Sequence, residues 1–589
     1  MKISHSWLLQ HIQTDLPPEK IGEILTDIGL EVETIDTLES VKGGMQGVVI
    51  GHVLTCVQHP NADKLTLTTV DVGAEEPLQI VCGAPNVAAG QKVPVALVGT
   101  TLFTFSGDEI KLKAGKIRGE LSQGMICAED ELGLGNSHDG IMVLADSARA
   151  GMPAAEYFDL QNDFVYEIGL TPNRTDAMSH FGVARDLYAA LISRGFQAQL
   201  RHPNYSILKT GNQHIIPVSI ENEEACGQYF GLTISDVKVA PSPEWLQKSL
   251  RAIGAKPINN VVDATNYVLH EFGHPLHAFD AEVIAGNRVI VKNAPEGAKF
   301  TTLDGVERTL SAADLMIYNA EKPMCMAGVL GGMHSGVTEK TRTIFLESAW
   351  FHPVSIRKTA KRHGLNTDAS FRYERGVDPS ISQMVLARAA NMIVEIAGGN
   401  ISSPVQAQVA KPVVATTIQL SHAYLNSLVG NEIPAAEIEK ILTALEFEIT
   451  EKTNEGWQLQ VPTYRVDVTR PADVVEEFLR IYGFNQVQLP SHMRLSISSE
   501  KAKDDEAFKQ IAAAYLTANG CFEAMNNSLT KTAYYEKMLP DAVPTLVHML
   551  NPLSQDLAVM RQNLFFGGLE VMNRNINRQR SDVKIFEFG

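Results

Sequence analysis

Between about residues 45 and 145 the chain is a series of short alternating strands, and a helical pattern stands on either side of it. The strands GVVIGHVLTCV, LTLTTVDVG, LQIVCGA, KVPVALVG and IKLKAGKIRG are separated by turn-rich stretches such as HPNADK and GAPNVAAGQ. Short strands at even spacing, punctuated by Gly, Pro and Asn, are how a small β-barrel reads, and the OB-fold is one candidate. Before this block, PEKIGEILTDI (18–28) carries apolar residues at helical spacing and is closed by Gly29. After it, HFGVARDLYAALISR (180–194) is helical again. A barrel inserted within one α/β unit accounts for that order.

At roughly 150 residues per domain, 589 residues suggest about four domains. From about 205 to 405 the pattern is mixed, with strands such as HIIPVSI, YFGLTI, NRVIVKNA and RTIFLESA and helices at PEWLQKSLRAIG and MVLARAANMIVEIAG. Pro404 and Pro412 bracket an expected linker. Residues 416–485 read as strand, helix, two strands and a final helix, which suits a small helix-plus-wing domain. The last stretch opens another α/β unit, and its strand pattern at IFEFG is expected to be an interrupted domain. The fold class expected is multi-domain α+β.

No apolar run reaches the ~18–20 residues of a membrane span, and MKISHSWLLQ lacks the apolar core of a signal peptide. The six cysteines are scattered without a CxxC pair, so zinc or a disulfide framework is not expected, and reduced thiols in a cytoplasmic protein are. With 50 basic against 68 acidic residues the formal charge is −18, so nucleic acid must be met by local basic patches rather than by the average field.

Three constellations carry chemistry. In VPTYRVDVTRPADVVEEFLRIYGF, Asp473, Glu476 and Glu477 share one helix face after Pro471, with Asp467 just upstream. Four carboxylates so close repel unless a hard cation such as Mg²⁺ neutralises them, or else they merely complement a helix N-terminus. In NNVVDATNYVLHEFGHPLHAFD, His270, His274 and His277 stand beside Asp263, Thr265 and Asn266. No HExxH is present and Pro275 interrupts the segment, so a polar pocket that orients water or a ribose is a better reading than zinc, against a plain surface of polar residues. In IFLESAWFHPVSIRKTAKRHGLNTDASFRYERG, Glu347 ends an apolar strand. Arg357, Lys358, Lys361, Arg362, Arg372 and Arg375 then gather against Asp368 and Glu374, either to meet phosphates or as a solvated helix face. AGVLGGMHSGV (327–337) permits close backbone approach but is no Walker loop. GAPNVAAGQKV fails as a P-loop, and GxSxG, HIGH-like, KMSKS-like and strand-to-helix GxGxxG motifs are missing. Activation of ATP would therefore need a partner.

On these residues the chain resembles the family of bacterial phenylalanine–tRNA ligase beta subunits. The resemblance rests on GLEVE, HPNADKL, IRGELSQGMICAEDELGL, GLTPNRTDAMSHFGVARDL, VVDATNYVLHEFGHPLHAFD, DASFRYERGVDP, YRVDVTRPADVVEEFLRIYGF and NPLSQDLAVMRQNLFFGGLE, in that order along the chain. It implies an N-terminal α/β domain (1–39 with 152–195), an inserted OB-fold tRNA-binding domain (40–151) and an editing module (205–405). A small helix-turn-helix-like domain (416–485) and a partial, degenerate class II synthetase-like core (490–589) follow. The family's ferredoxin-like C-terminal domain is expected to lie beyond this chain.

The resemblance further implies an (αβ)₂ heterotetramer. Its alpha subunit uses ATP to charge tRNA(Phe), while the beta subunit binds tRNA and hydrolyses mischarged Tyr-tRNA(Phe). The family's Mg²⁺ ligands, shared with the alpha subunit, fall on Asp467, Asp473, Glu476 and Glu477. The editing pocket falls on Thr265, Asn266, His277, Gly331, Glu347, Thr367 and Ala369. Glu347 is expected to accept the tyrosyl hydroxyl as an ionised carboxylate, and His277 to orient the ribose or the attacking water. The alternative is a tRNA-binding scaffold whose pocket has become inactive.

Overall fold

The computed structural model describes every residue except 40, 159, 161, 204, 207–208, 490, 493–494 and 497–504. The domain boundaries expected at 40 and 490 fall on residues outside the described set. Two compact units are present, Met1–Gln488 and Leu489–Gly589.

In the first unit, strand Lys2–Ser4 pairs with Asp163–Gly169, which pairs in turn with Glu31–Leu38. One three-stranded sheet is thus built from both sides of the inserted block. Helix Pro18–Asp27 ends just before Gly29, whose φ of +90° closes it without the strain a side chain would add. Helix His180–Ser193 is capped by the Ser179 hydroxyl. These helices share one apolar core with residues 418–481, which joins Ile24, Leu187, Ile441 and Phe478.

The inserted block is a five-stranded antiparallel sheet in the order Gly124–Ile126, Lys92–Leu97, Val48–Gln58, Thr66–Asp71, Leu78–Cys82. The Gln123 amide donates to the Gln79 carbonyl at 2.9 Å and brings the two edges together, which leaves a near-closed barrel. IKLKAGKIRG, expected as one strand, is two: Glu109–Lys111 pairs with Thr101–Phe103, and Gly115–Ile117 pairs with Glu120–Ser122. Arg118 and Gly119, both at positive φ, turn the second hairpin back on itself.

Residues 216–409 form two packed sheets. One runs Leu276–Asp280, Thr343–Phe351, Cys226–Ser235, Asn400–Ile401, and Gln406–Val409 also pairs with Cys226–Ser235. The stretch between Pro404 and Pro412 is therefore a strand rather than a linker: its backbone completes the edge of this sheet. The second sheet runs Val218–Ile220, Val289–Asn293, Leu315–Tyr318, Pro323–Met326, Leu330–Gly331. Because side chains alternate along a strand, the first sheet offers Leu232, Ile234, Ile344 and Leu346 to helices Asn260–Phe272 and Ser382–Ala397. It offers Tyr229, Phe279, Phe345 and Ala349 to the core shared with the second sheet.

Residues 417–482 comprise strand Thr417–Ser421, helices His422–Val429 and Ala435–Ala444, the hairpin Glu448–Lys452 with Gly456–Gln460, and helix Pro471–Tyr482. The short helix His422–Val429 is an addition to the sequence expectation. The second unit holds helices Asp505–Ala518, Thr532–Met538 and Phe565–Asn577, the last two contributing Tyr535 and Phe566 to a small core with Val559. No helix among the described residues is long and apolar enough to cross a membrane.

Candidate functional site

Glu347 sits mid-strand in Thr343–Phe351, with His277 directly opposite on one neighbouring strand and Gly231 on the other. Directly opposed residues project to the same face, so Glu347 and His277 both point into the apolar core between the sheets. Glu347 is 5% exposed, and among the described residues no cation pairs with it. The Tyr229 hydroxyl, two residues from Gly231 and on the same face, donates to Oε2 at 2.5 Å. Among the described residues no donor reaches Oε1. Burial drives the Glu347 carboxyl up to about 8, against the Tyr229 hydrogen bond that lowers it. Burial alone lowers His277 to about 4, and its Nε2 is buried without a partner. Near neutrality the pair is thus an uncharged acid beside an uncharged imidazole. Against the expectation of an ionised Glu347, an apolar core favours the protonated form of its carboxyl.

Gly331 makes the approach to this pair possible. A Cβ there would lie 3.0 Å from His277 Cε1 and 2.8 Å from Leu303 Cδ1. Leu303 lies in the hairpin of strands Lys299–Thr301 and Glu307–Thr309, and its amide donates to the Gly331 carbonyl at 3.0 Å. Thr367 caps helix Asp368–Tyr373 and donates its hydroxyl to the Val329 carbonyl at 2.8 Å, two residues from Gly331. Ala369, in the same helix, packs on the inter-sheet core.

Thr265 and Asn266 are less directly placed. They lie on helix Asn260–Phe272, whose apolar residues join the core on the sheet's opposite side, and the Thr265 hydroxyl donates to its own helix at Val262 O. No hydrogen bond links them to His277 or Glu347 among the described residues. The neighbouring histidines serve elsewhere: His270 Nδ1 meets Arg372, and His274 Nε2 meets Ser348 Oγ at 3.2 Å. Among the described residues no group of three or more His, Cys, Asp or Glu converges as a metal site. Tyr229 is the site residue that sequence reasoning missed.

The second constellation is arranged differently from expectation. Both Glu477 oxygens are taken by Arg465 and Arg480, and Arg480 reaches on to Asp186, which also meets Arg174. Asp467 accepts from Arg465 and from Asn173. Asp473 folds back on the Arg470 amide and guanidinium, which hold its carboxyl below the usual range. Glu476 alone is exposed and has no described partner. In this arrangement arginines meet three of the four carboxylates, Asp467, Asp473 and Glu477, and offset the repulsion among them, while Glu476 stays exposed.

Comparison with known proteins bears on the whole chain. A beta subunit of phenylalanine–tRNA ligase from Bacteroides fragilis (strain YCH46) is 52% identical over 592 residues, covering 100% of this chain and 72% of that protein. The chain belongs to the phenylalanine–tRNA ligase beta-subunit family. The corresponding subunits of Porphyromonas gingivalis (strain ATCC BAA-308 / W83) and Salinibacter ruber (strain DSM 13855 / M31) are 50% and 41% identical, again over 100% of this chain and 72% of each relative.

Family models match in pieces. The putative tRNA binding domain covers 48–153, the B3/4 domain 225–398, the tRNA synthetase B5 domain 418–484, and the phenylalanyl tRNA synthetase beta chain CLM domain 489–589. The tRNA-binding model falls on the near-closed barrel and the B3/4 model on the two packed sheets that enclose Glu347 and His277. As a member of the family the chain is a ligase subunit with tRNA-binding and editing modules. The family's holoenzyme uses ATP and Mg²⁺, and its alpha subunit carries aminoacylation.

Proposed function

We propose that the pocket at Glu347 and His277 hydrolyses Tyr-tRNA(Phe). Tyrosine differs from phenylalanine by one hydroxyl, and an apolar synthetic site rejects an added hydroxyl only about 100-fold. A second site that reads the hydroxyl supplies the rest. The observation that carries the reading is a half-used acid, with Glu347 Oε2 on Tyr229 and Oε1 without a donor, directly across the strand pair from an unpartnered His277 Nε2.

A tyrosyl hydroxyl that enters here hydrogen-bonds the neutral Glu347 carboxyl. A phenyl ring leaves that group buried and unpaired, at about 1–3 kcal/mol. The aminoacyl ester is already activated, so water attacks it without a protein nucleophile. An imidazole lowered to about 4 is a weak base at neutral pH, so His277 orients the water or the terminal ribose rather than deprotonating it. Gly331, Thr367 and Ala369 shape the rim, and Thr265 and Asn266 complete the polar wall on the strength of the family motif alone. The chain acts in the cytoplasm, within an (αβ)₂ assembly that holds tRNA(Phe).

At the helix Pro471–Tyr482, Asp467, Asp473, Glu476 and Glu477 are the side chains that would hold a Mg²⁺ shared with the alpha subunit, with Glu476 exposed and the other three met by arginines in this chain alone. The scaffold alternative explains less, because orphaned polar groups in an apolar core cost stability and an inactive pocket gains nothing from keeping them. The test is deacylation of Tyr-tRNA(Phe) by the chain with its alpha subunit. Hydrolysis that spares Phe-tRNA(Phe) and disappears in His277→Ala supports editing, and no hydrolysis by the unaltered protein leaves the scaffold.

A further inference from the structure

The helix Pro353–His363 carries four cations, Arg357, Lys358, Lys361 and Arg362, and no acidic residue, in a chain of formal charge −18. Its orientation is fixed from beneath. Ile356 and Ala360 are buried in the inter-sheet core. Thr359, Arg362 and His363 all bind the fully buried Asp314, His363 Nε2 at 2.8 Å. Arg357, Lys358 and Lys361 are left on the exposed face, and among the described residues none of the three meets a carboxylate. Some exposed lysines elsewhere are paired, as in Lys20–Glu23, Lys248–Glu244 and Lys452–Glu439, and here three unpaired cations share one helix face. Favourable interaction with the helix dipole accounts for cations in the last turn, but not for Arg357 and Lys358 before it.

The basic helix runs to the rim of the pocket. Arg308, in the hairpin that holds Leu303 over Gly331, donates to the His363 carbonyl at 2.8 Å. Gly364, at φ 63°, ends the helix, and the chain then reaches Thr367, tied to Val329 beside Gly331. On the next helix Phe371 is 37% exposed, with the Arg375 guanidinium 3.7 Å from its ring centroid. Arg375 is itself paired with Glu374, so the unpaired cations are those of the preceding helix, and a basic face followed by an exposed aromatic ring suits single-stranded nucleic acid held without reading its sequence.

We propose that the exposed face of helix Pro353–His363 docks the single-stranded acceptor end of the aminoacyl-tRNA, with Arg357, Lys358 and Lys361 meeting backbone phosphates as the ester enters the pocket. This rests on the editing reading above. Charge complementarity and continuity with the pocket rim favour RNA over an acidic protein segment.

The test is the triple variant Arg357→Ala, Lys358→Ala, Lys361→Ala in complex with the alpha subunit, assayed for Tyr-tRNA(Phe) deacylation across a salt series. At about 0.7 of a log unit per phosphate contact on a single strand, losing three contacts lowers the slope of log(1/KM) against log[salt] by about two. KM is expected to rise about tenfold at low salt while kcat stays within twofold, and hydrolysis of a small tyrosyl ester lacking RNA stays unchanged. An unchanged KM and slope in the variant would overturn the docking surface while leaving editing intact. The same KM rise without any change in salt slope would also overturn it, by pointing to a contact that is not with phosphates. Failure of the unaltered protein to hydrolyse Tyr-tRNA(Phe) would remove the editing reading, and this surface with it.

Discussion

Glu347→Gln turns the burial of one carboxyl into a measurable pH dependence. The glutamine keeps an oxygen for the Tyr229 hydroxyl and cannot ionise. In the folded protein the Glu347 carboxyl is raised from 4.5 to about 8. The unfolded chain ionises near the lower value, so between the two it binds fewer protons than the folded chain, and stability falls as pH rises. The contribution is fully present below about pH 4.5 and is lost progressively by about pH 8. A shift of about 3.5 units at about 1.4 kcal/mol each sets an upper value of about 5 kcal/mol. Hydrogen exchange across strand Thr343–Phe351, corrected for intrinsic pH effects, reads it locally. The native protein should lose protection between pH 5 and 8 by more than the Gln variant does. Parallel profiles for the two proteins would refute the claim that Glu347 is held as a buried acid.

Removing the donor in Tyr229→Phe leaves Glu347 without its anchor, and kcat/KM for Tyr-tRNA(Phe) deacylation should fall about tenfold, the effect of one lost hydrogen bond to a buried group. Gly331→Val should cut deacylation about 100-fold in single-turnover assays while circular dichroism stays native, since its Cβ would press on His277 and Leu303. Glu477→Gln should destabilise by about 3–5 kcal/mol, as breaking a buried ion pair does, whereas chelating Mg²⁺ from the unaltered chain should leave its melting temperature unchanged. His277, lowered from 6.5 to about 4, contributes stability above pH 6.5 that is lost as pH falls toward 4, and His277→Gln should blunt acid unfolding in that window.

Periodicity alone makes the barrel and the main helices legible, because strand and helix patterns differ over enough residues to be told apart. The barrel's IKLKAGKIRG segment reads as one strand because the break at 112–114, between Glu109–Lys111 and Gly115–Ile117, falls inside a run that goes on alternating in hydropathy. Helix His422–Val429 spans only eight residues, too few for a pattern, and Gln406–Val409 pairs with a strand far back in the chain. The pocket divides along the same line. Glu347 is conspicuous as a charge in an apolar strand, but Tyr229 reaches it only through a register between strands more than a hundred residues apart, which no local spacing records.

The carboxylates around helix Pro471–Tyr482 are legible only in part. Their shared face is legible, and so is Arg480 three residues from Glu477. Asp186, which completes the network, lies 294 residues from Arg480 in sequence. Local spacing therefore records the carboxylates but not the distant partner that links their arginines.

The editing claim is tested most directly by the ratio of kcat/KM for Tyr-tRNA(Phe) to that for Phe-tRNA(Phe), measured with the alpha subunit present, for the unaltered chain and for Glu347→Ala. The expected result is a large preference for Tyr-tRNA(Phe) that collapses in the variant, chiefly through slower hydrolysis of the tyrosyl ester. An equal preference in both proteins would contradict Glu347 as the group that reads the hydroxyl.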